Sequence, residues 1–267
     1  MNPVKTGENE KSVSSKIKNI FLTLFLPVLI LILWELGVKY GKINGNVIPP
    51  PTTLAATFVS LVSSGKLQSG LLISFQRVLE GFSIAAVIGI VLGFLMGIFA
   101  SVNRLLASLI NILRPIPVVA LIPILIIILG VGESANVSII VIGALWPILL
   151  NTTAGVMSTD KKLMELAYVY RLSKPKQYFQ IILPSSLYSI LTGLRLGISG
   201  AWMSVVAAEM IGATSGIGYL IMFAKSLAQA ANMYVLVLIV GVIGFLIDKI
   251  LLLLQNAISK RFVAGRV

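Results

Sequence analysis

Few side chains in this chain can do chemistry. Its 267 residues include no His and no Cys, so the commonest metal ligand, the thiol nucleophile and the Ser-His-Asp general base are all missing. No GxxxxGK[ST] run occurs, so the chain does not hold ATP in a phosphate loop. The acids are scarce, nine in all, and Glu35, Glu80, Glu209 and Asp248 fall in or beside apolar stretches. An ionisable group in such a stretch is a functional candidate by default. Glu209 is the foremost: either it serves the pathway through the protein, or it is a helix-end carboxylate bonded to the Gly-rich segment after it. Arg77 and Glu80, three apart, are expected to neutralise each other on one helix face. Arg195 pairs with a carboxylate or snorkels to an interface, and Asp248 meets a polar group in the interior. Trp146 and Trp202 are candidate pathway or gate residues, although Trp in such segments more often packs or anchors.

The elements that must position these residues are apolar. The chain is 57% hydrophobic and 11% charged, with mean hydropathy +1.01. Several windows exceed the roughly 18–20 apolar residues that cross a bilayer. Segments of this kind fold as helices, because an unpaired backbone group in lipid costs several kcal/mol. The expected architecture is an all-α integral membrane protein of six spans. Residues 1–18 form a polar N-terminal arm, 19–260 a single transmembrane domain, and 261–267 a tail. Span one covers 20–39 and reads as retained rather than as a cleaved signal. Pro49, Pro50 and Pro51 then force an extended turn, and Thr52 or Thr53 caps a short helix. Span two runs over 71–100. Span three, 105–129, carries Pro115, Pro117 and Pro123, which predicts a break near Arg114–Pro117 and a kink near Pro123. The turn GVGES leads to span four, 137–157. Span five covers 185–210, a short helix lies within 211–233, and span six covers 234–256. Gly193, Gly197 and Gly200 permit close helix approach.

The net charge is +12. Most Lys and Arg fall on the side shared by the termini: the N-arm, Arg104, Arg114, the run from Lys161 to Arg195, and the C-terminal end. Lys39, Lys42, Lys66, Arg77 and Lys225 fall on the other. This asymmetry marks topology rather than nucleic-acid binding, and it predicts cytoplasmic termini.

One polar excursion, 158–183, interrupts the apolar spans on the basic side. Asp160 or Thr159 caps a helix of about 11 residues with Leu163, Leu166, Ala167 and Tyr170 on one face. Ser173 caps a second short helix that tolerates Pro175 in its first turn. Tyr178, Phe179, Ile181 and Ile182 make that helix apolar, and Pro184 marks the entry to span five. Such a helix–turn–helix either fills a groove on a cytoplasmic partner or lies on its own bundle.

Residues Glu165, Ala167, Ile181, Leu183 and Pro184 match the pattern E-A-A-x3-G-x9-I-x-L-P at full spacing. The stretch resembles the EAA signature of binding-protein-dependent ABC importer permeases. It departs at Leu166, where the family commonly has Ala, and at Arg171, where it has Gly. Gly takes a left-handed helix end that Arg takes only at a cost, so either the turn is made at Leu172-Ser173, which leaves Arg171 to contact the partner, or its geometry differs and Arg171 itself holds the turn. The resemblance to the nitrate/sulfonate/bicarbonate-type subfamily extends over about 48–260 through IPPPTTL, SFQRVLEGFSIA, LRPIPVVALIPI, GVGES, WPILLNTTAGV, ILTGLRLGISGAW and VVAAEMIGATSGIGYLI.

That resemblance implies a type I ABC importer permease fold with coupling helices at about 160–182. It implies a second permease copy, a cytoplasmic ABC ATPase dimer that binds the ATP and Mg, an extracytoplasmic solute-binding protein, and a plasma-membrane location. The docking residues it implies are Leu163, Glu165, Leu166, Ala167, Tyr170, Arg171, Leu172 and Ser173. No cofactor or catalytic residue is expected in the chain itself. The alternative is a secondary transporter or channel that works without an ATPase.

Overall fold

Apolar runs that must pair their own backbone groups have only the helix available, and the chain takes that solution throughout. A computed structural model describes residues 25–264, with side chains to 258, and among these residues there is no strand. The expected N-terminal arm and the start of span one lie outside the described residues. The rest of span one is helix α1, 25–39. Ten helices follow: α2 (Pro51–Ser63), α3 (Lys66–Ile98), α4 (Ala100–Leu113), α5 (Val118–Leu129), α6 (Glu133–Met157), α7 (Lys161–Val169), α8 (Lys174–Gln177), α9 (Leu183–Gly212), α10 (Ile217–Ser226) and α11 (Ala230–Ala264). Because α11 continues to Ala264, the expected tail at 261 does not begin at a break in structure.

Among the described residues four helical runs are long and apolar enough to cross a membrane: Lys66–Ile98, Glu133–Met157, Lys174–Gly212 and Ala230–Ile258. The α4–α5 pair is a fifth candidate, bent by 97° at its break. Pro115 and Pro117 remove two backbone donors there, as the sequence predicts. Pro123 lies inside α5 without ending it.

Helix α6 is the centre of the bundle and packs along both α3 and α9. Small residues allow this. A Cβ at Gly93 of α3 would lie 2.7 Å from the Leu149 carbonyl oxygen, and one at Gly200 of α9 would lie 2.5 Å from the Gly143 carbonyl oxygen. The seam is filled by Val78, Ala85, Ile140, Ala144, Ile148, Ala201, Trp202 and Val205. Trp202 is 3% exposed, donates from Nε1 to the Val240 carbonyl at 3.1 Å and packs against Phe75. In this arrangement it joins α9 to α11. Trp146 is partly buried beside Met96, Ile110 and Leu149.

The cap of α2 also differs from expectation. Its N-cap is Pro50, without a side-chain bond. Glu35 of α1 supplies the acceptor instead: it takes hydrogen bonds from the Thr52 amide at 3.2 Å and the Thr52 hydroxyl at 2.9 Å. A carboxylate at a helix start also meets the positive end of the helix dipole, so this acid joins two helices.

Candidate functional site

At one end of the bundle α7 stands between α6 and α9. Asp160 caps it by accepting from the Lys162 amide at 2.9 Å. The nine-residue helix ends with the Arg171 amide donating to the Tyr168 carbonyl at 3.0 Å and the Leu172 amide to the Ala167 carbonyl at 2.9 Å. This pair of bonds is a Schellman closure, which needs a left-handed residue at the first position past the cap. Arg171 occupies that position with φ 49°. The chain therefore turns at Arg171 and not at Leu172-Ser173, which decides between the two alternatives. Gln177, itself buried, donates to the Leu172 carbonyl at 2.8 Å and braces the turn.

The expected second helix is not a separate element. Ser173 stands at its N-cap without a side-chain bond, and α8 passes through a π-helical turn, Tyr178–Ile182, into α9. Lys174–Gly212 is one 39-residue helical run. Pro184 falls in its interior turn because the widened π turn absorbs the missing donor.

The predicted apolar face of α7 is divided. Ala167 is 1% exposed and packs inward, whereas Leu166 is 52% and Tyr170 76% exposed. Leu163, Tyr168, Val169 and Phe179 are exposed as well. Glu165 is exposed and Leu172 half-buried. One small residue thus seats the helix, while its large apolar side chains are exposed, as are Lys161, Lys162, Arg171, Lys174 and Lys176.

The α10 end holds an ion cluster in which Glu209 makes the expected bond to the Gly-rich segment after it, while the pairing of Arg77 with Glu133 and Glu209 was not expected from the sequence. Arg77 does not pair with Glu80, which lies on the exposed edge of α3. Arg77 faces inward and is 3% exposed. Its Nε donates to Glu133 Oε2 at 2.7 Å and its Nη2 to Glu133 Oε1. Its Nη1 donates to Glu209 Oε1 at 2.8 Å and to the Ser215 carbonyl at 2.7 Å, and Nη2 also donates to Ser215 Oγ at 3.0 Å. All five guanidinium N–H groups are thereby used. Two acids from distant helices outcompete Glu80 because they meet the planar fork in the bundle interior, one of them bidentate.

Glu209 is 1% exposed. Besides Arg77 it accepts from the Gly218 amide at 2.9 Å and from Ser74 Oγ, which lies 2.8 Å from both carboxylate oxygens. Ser74 in turn accepts from the Ile217 amide at 3.0 Å. Near the C-terminal end of α9 a carboxylate is opposed by that helix's dipole, and the start of α10 supplies the compensating donors. The fit requires Gly216: its φ is 107°, and a Cβ there would lie 2.2 Å from the Glu209 carboxylate. The cluster joins α3, α6, α9 and the α9–α10 turn. The only signal for it in sequence is that three ionisable residues recur at matching ends of apolar helices.

Two further polar contacts join α9 and α11. Arg195 Nε lies 3.6 Å from Asp248 Oδ1, and Gln255 donates to Thr192 Oγ1 at 2.7 Å. Arg195 and Asp248 thus find each other.

The fold is that of an integral membrane bundle of apolar helices, which gathers an ion cluster at one end and exposes the large apolar side chains of α7 at the other. The chain belongs to the family of binding-protein-dependent transport system inner membrane components, whose profile matches residues 85–264. It is 39% identical over 249 residues to a putative ABC transporter permease protein of Methanocaldococcus jannaschii, covering 90% of this chain and 92% of that one. It is 34% identical over 237 residues to a putative aliphatic sulfonates transport permease protein of Bacillus subtilis, covering 89% of this chain and 86% of that one. A solved amino acid ABC transporter chain superposes with TM-score 0.63 at 17% identity, covering 75% of this chain and 98% of that one, which shows the shared fold. The chain is the membrane-spanning permease subunit of an ABC importer; it is not an enzyme, and ATP hydrolysis belongs to a separate subunit.

Proposed function

We propose that two copies of this chain form the membrane pathway of the importer and that α7 of each docks on a cytoplasmic ABC ATPase dimer, which binds ATP and Mg. An extracytoplasmic binding protein delivers the solute. Both termini and α7 face the cytoplasm of the plasma membrane, in keeping with the Lys and Arg distribution. ATP-driven closure of the ATPases moves α7, and the rigid path from α8 through the π turn into α9 carries that movement into the membrane. The relative named for aliphatic sulfonates supports a small oxyanion as the solute.

The observation that carries this reading is the free apolar surface of Leu166 and Tyr170 beside a seated Ala167. A helix-in-groove contact uses such exposed anchors. Introducing a charge at an anchor should break the contact without unfolding the permease, whereas a charge at Ala167 would unseat α7 itself. Leu166→Asp and Tyr170→Asp are therefore the informative variants. In membranes co-expressing the ATPase, both should insert normally and lose at least tenfold in ATPase co-purification and in uptake. Uptake at the parental rate in a sample free of ATPase would favour the secondary transporter instead.

A further inference from the structure

We propose that Glu133 is the releasable member of the ion cluster: its bond to Arg77 breaks and re-forms in each transport cycle, which makes Glu133 a positioning residue for opening the α10 end. The inference rests on the permease reading above.

The two carboxylates on Arg77 are unequal. The Glu209 side chain is fully buried and has Ser74 and the Gly218 amide as additional donors. The Glu133 side chain is 66% exposed and, among the described residues, bonds only to Arg77. Once out of its bidentate pair, the exposed Glu133 carboxylate is solvated by water, whereas a released Glu209 carboxylate would remain buried. If Glu133 leaves, Arg77 keeps Glu209 and Ser215, and the remaining pair is neutral. Release therefore strands no buried charge. Release of Glu209 would strand one.

The backbone beside Glu133 is suited to a pivot. Gly130 and Gly132 precede it with φ 79° and 150°, and no atom lies within 4 Å of a Cβ built at either. The turn uses conformations that glycine takes freely and stands in open space. On its far side α5 meets α4 at the 97° bend.

Asn136 supplies an independent sign of a second state. It lies one turn beyond Glu133 on α6, is 1% exposed and finds no protein partner among the described residues for either amide atom. It sits beside Gly212, the last residue of α9. An unpaired buried amide calls for an explanation. Parting of α6 from the end of α9 on Glu133 release would give it water.

The chain has no Cys, so Asn136→Cys places a single thiol under the joint. The test uses the complete transporter in lipid nanodiscs and a membrane-impermeant maleimide. Labelling should be at least tenfold faster in the ATP- and vanadate-trapped state than without nucleotide. Adding Glu133→Gln should give the fast rate without nucleotide, and Glu133→Asp should restore the nucleotide dependence. One labelling rate in both nucleotide states would overturn the proposal. So would a Glu133→Gln background that labels at the slow rate, or one that Asp does not rescue. ATPase stimulation by the binding protein is read on the same samples. Its absence from the unsubstituted transporter run alongside would overturn the proposed assembly with an ATPase and a binding protein, and the joint with it.

Discussion

The Leu172 amide reaches back to the Ala167 carbonyl at 2.9 Å, and this closure holds the intervening Arg171 at φ 49°. The residue that departs from the family's glycine thus adopts the backbone conformation that glycine serves. The turn is kept, and its conformational cost falls on Arg171.

Arg171→Gly should stabilise the permease by about 1 kcal/mol, because a left-handed non-glycine residue costs about 1–2 kcal/mol and glycine's freedom in the unfolded chain offsets part of the gain. Arg171→Ala keeps the strain and should give no gain. Thermal melts of detergent-solubilised protein report both. Ala228 ends α10 in the same closure at φ 53°, so Ala228→Gly should give a similar gain. If Arg171 also contacts the ATPase, Gly and Ala at 171 should weaken assembly equally while only Gly stabilises.

Arg77→Met should destabilise the bundle by about 3–5 kcal/mol, since it leaves the Glu209 carboxylate buried and unpaired. Adding Glu209→Gln removes that charge and should recover at least half of the loss. Fluorescence-detected size exclusion after a heat step measures both. Equal loss in the single and double variants would show that packing, rather than the stranded charge, sets the cost.

Gly200→Ala should destabilise by about 1–3 kcal/mol, the usual cost of overpacking, because its Cβ would meet the Gly143 backbone at 2.5 Å. Gly241 lies in α11 with nothing within 4 Å of a built Cβ, so Gly241→Ala should be neutral or stabilising by up to about 1 kcal/mol. The same thermal assay distinguishes them. Equal effects would mean that α6 and α9 do not depend on their close approach.

A reporter fused after Val267 should be cytoplasmic, and a tag inserted at Ser63–Gly65 should be reached only from outside. Protease protection in intact and opened cells checks this orientation. Both tags on one face would overturn it.

By itself the sequence determined the solvent, the helices and the family. An apolar run in lipid has one way to pair its backbone, and Pro115 and Pro117 remove donors wherever the chain goes. The Asp160 cap was equally legible, because it acts over two residues. Tertiary structure decided whatever depended on the neighbour across the bundle. Arg77 bypassed Glu80, three residues away, for Glu133 and Glu209 on other helices. Glu35 of α1 capped a helix that two threonines were expected to start. Ala167 turned inward while Leu166 and Tyr170, in the same periodic set, remained outside. Spacing of 3.6 residues places side chains around a helix, but the surface each one meets is fixed only when the helices pack.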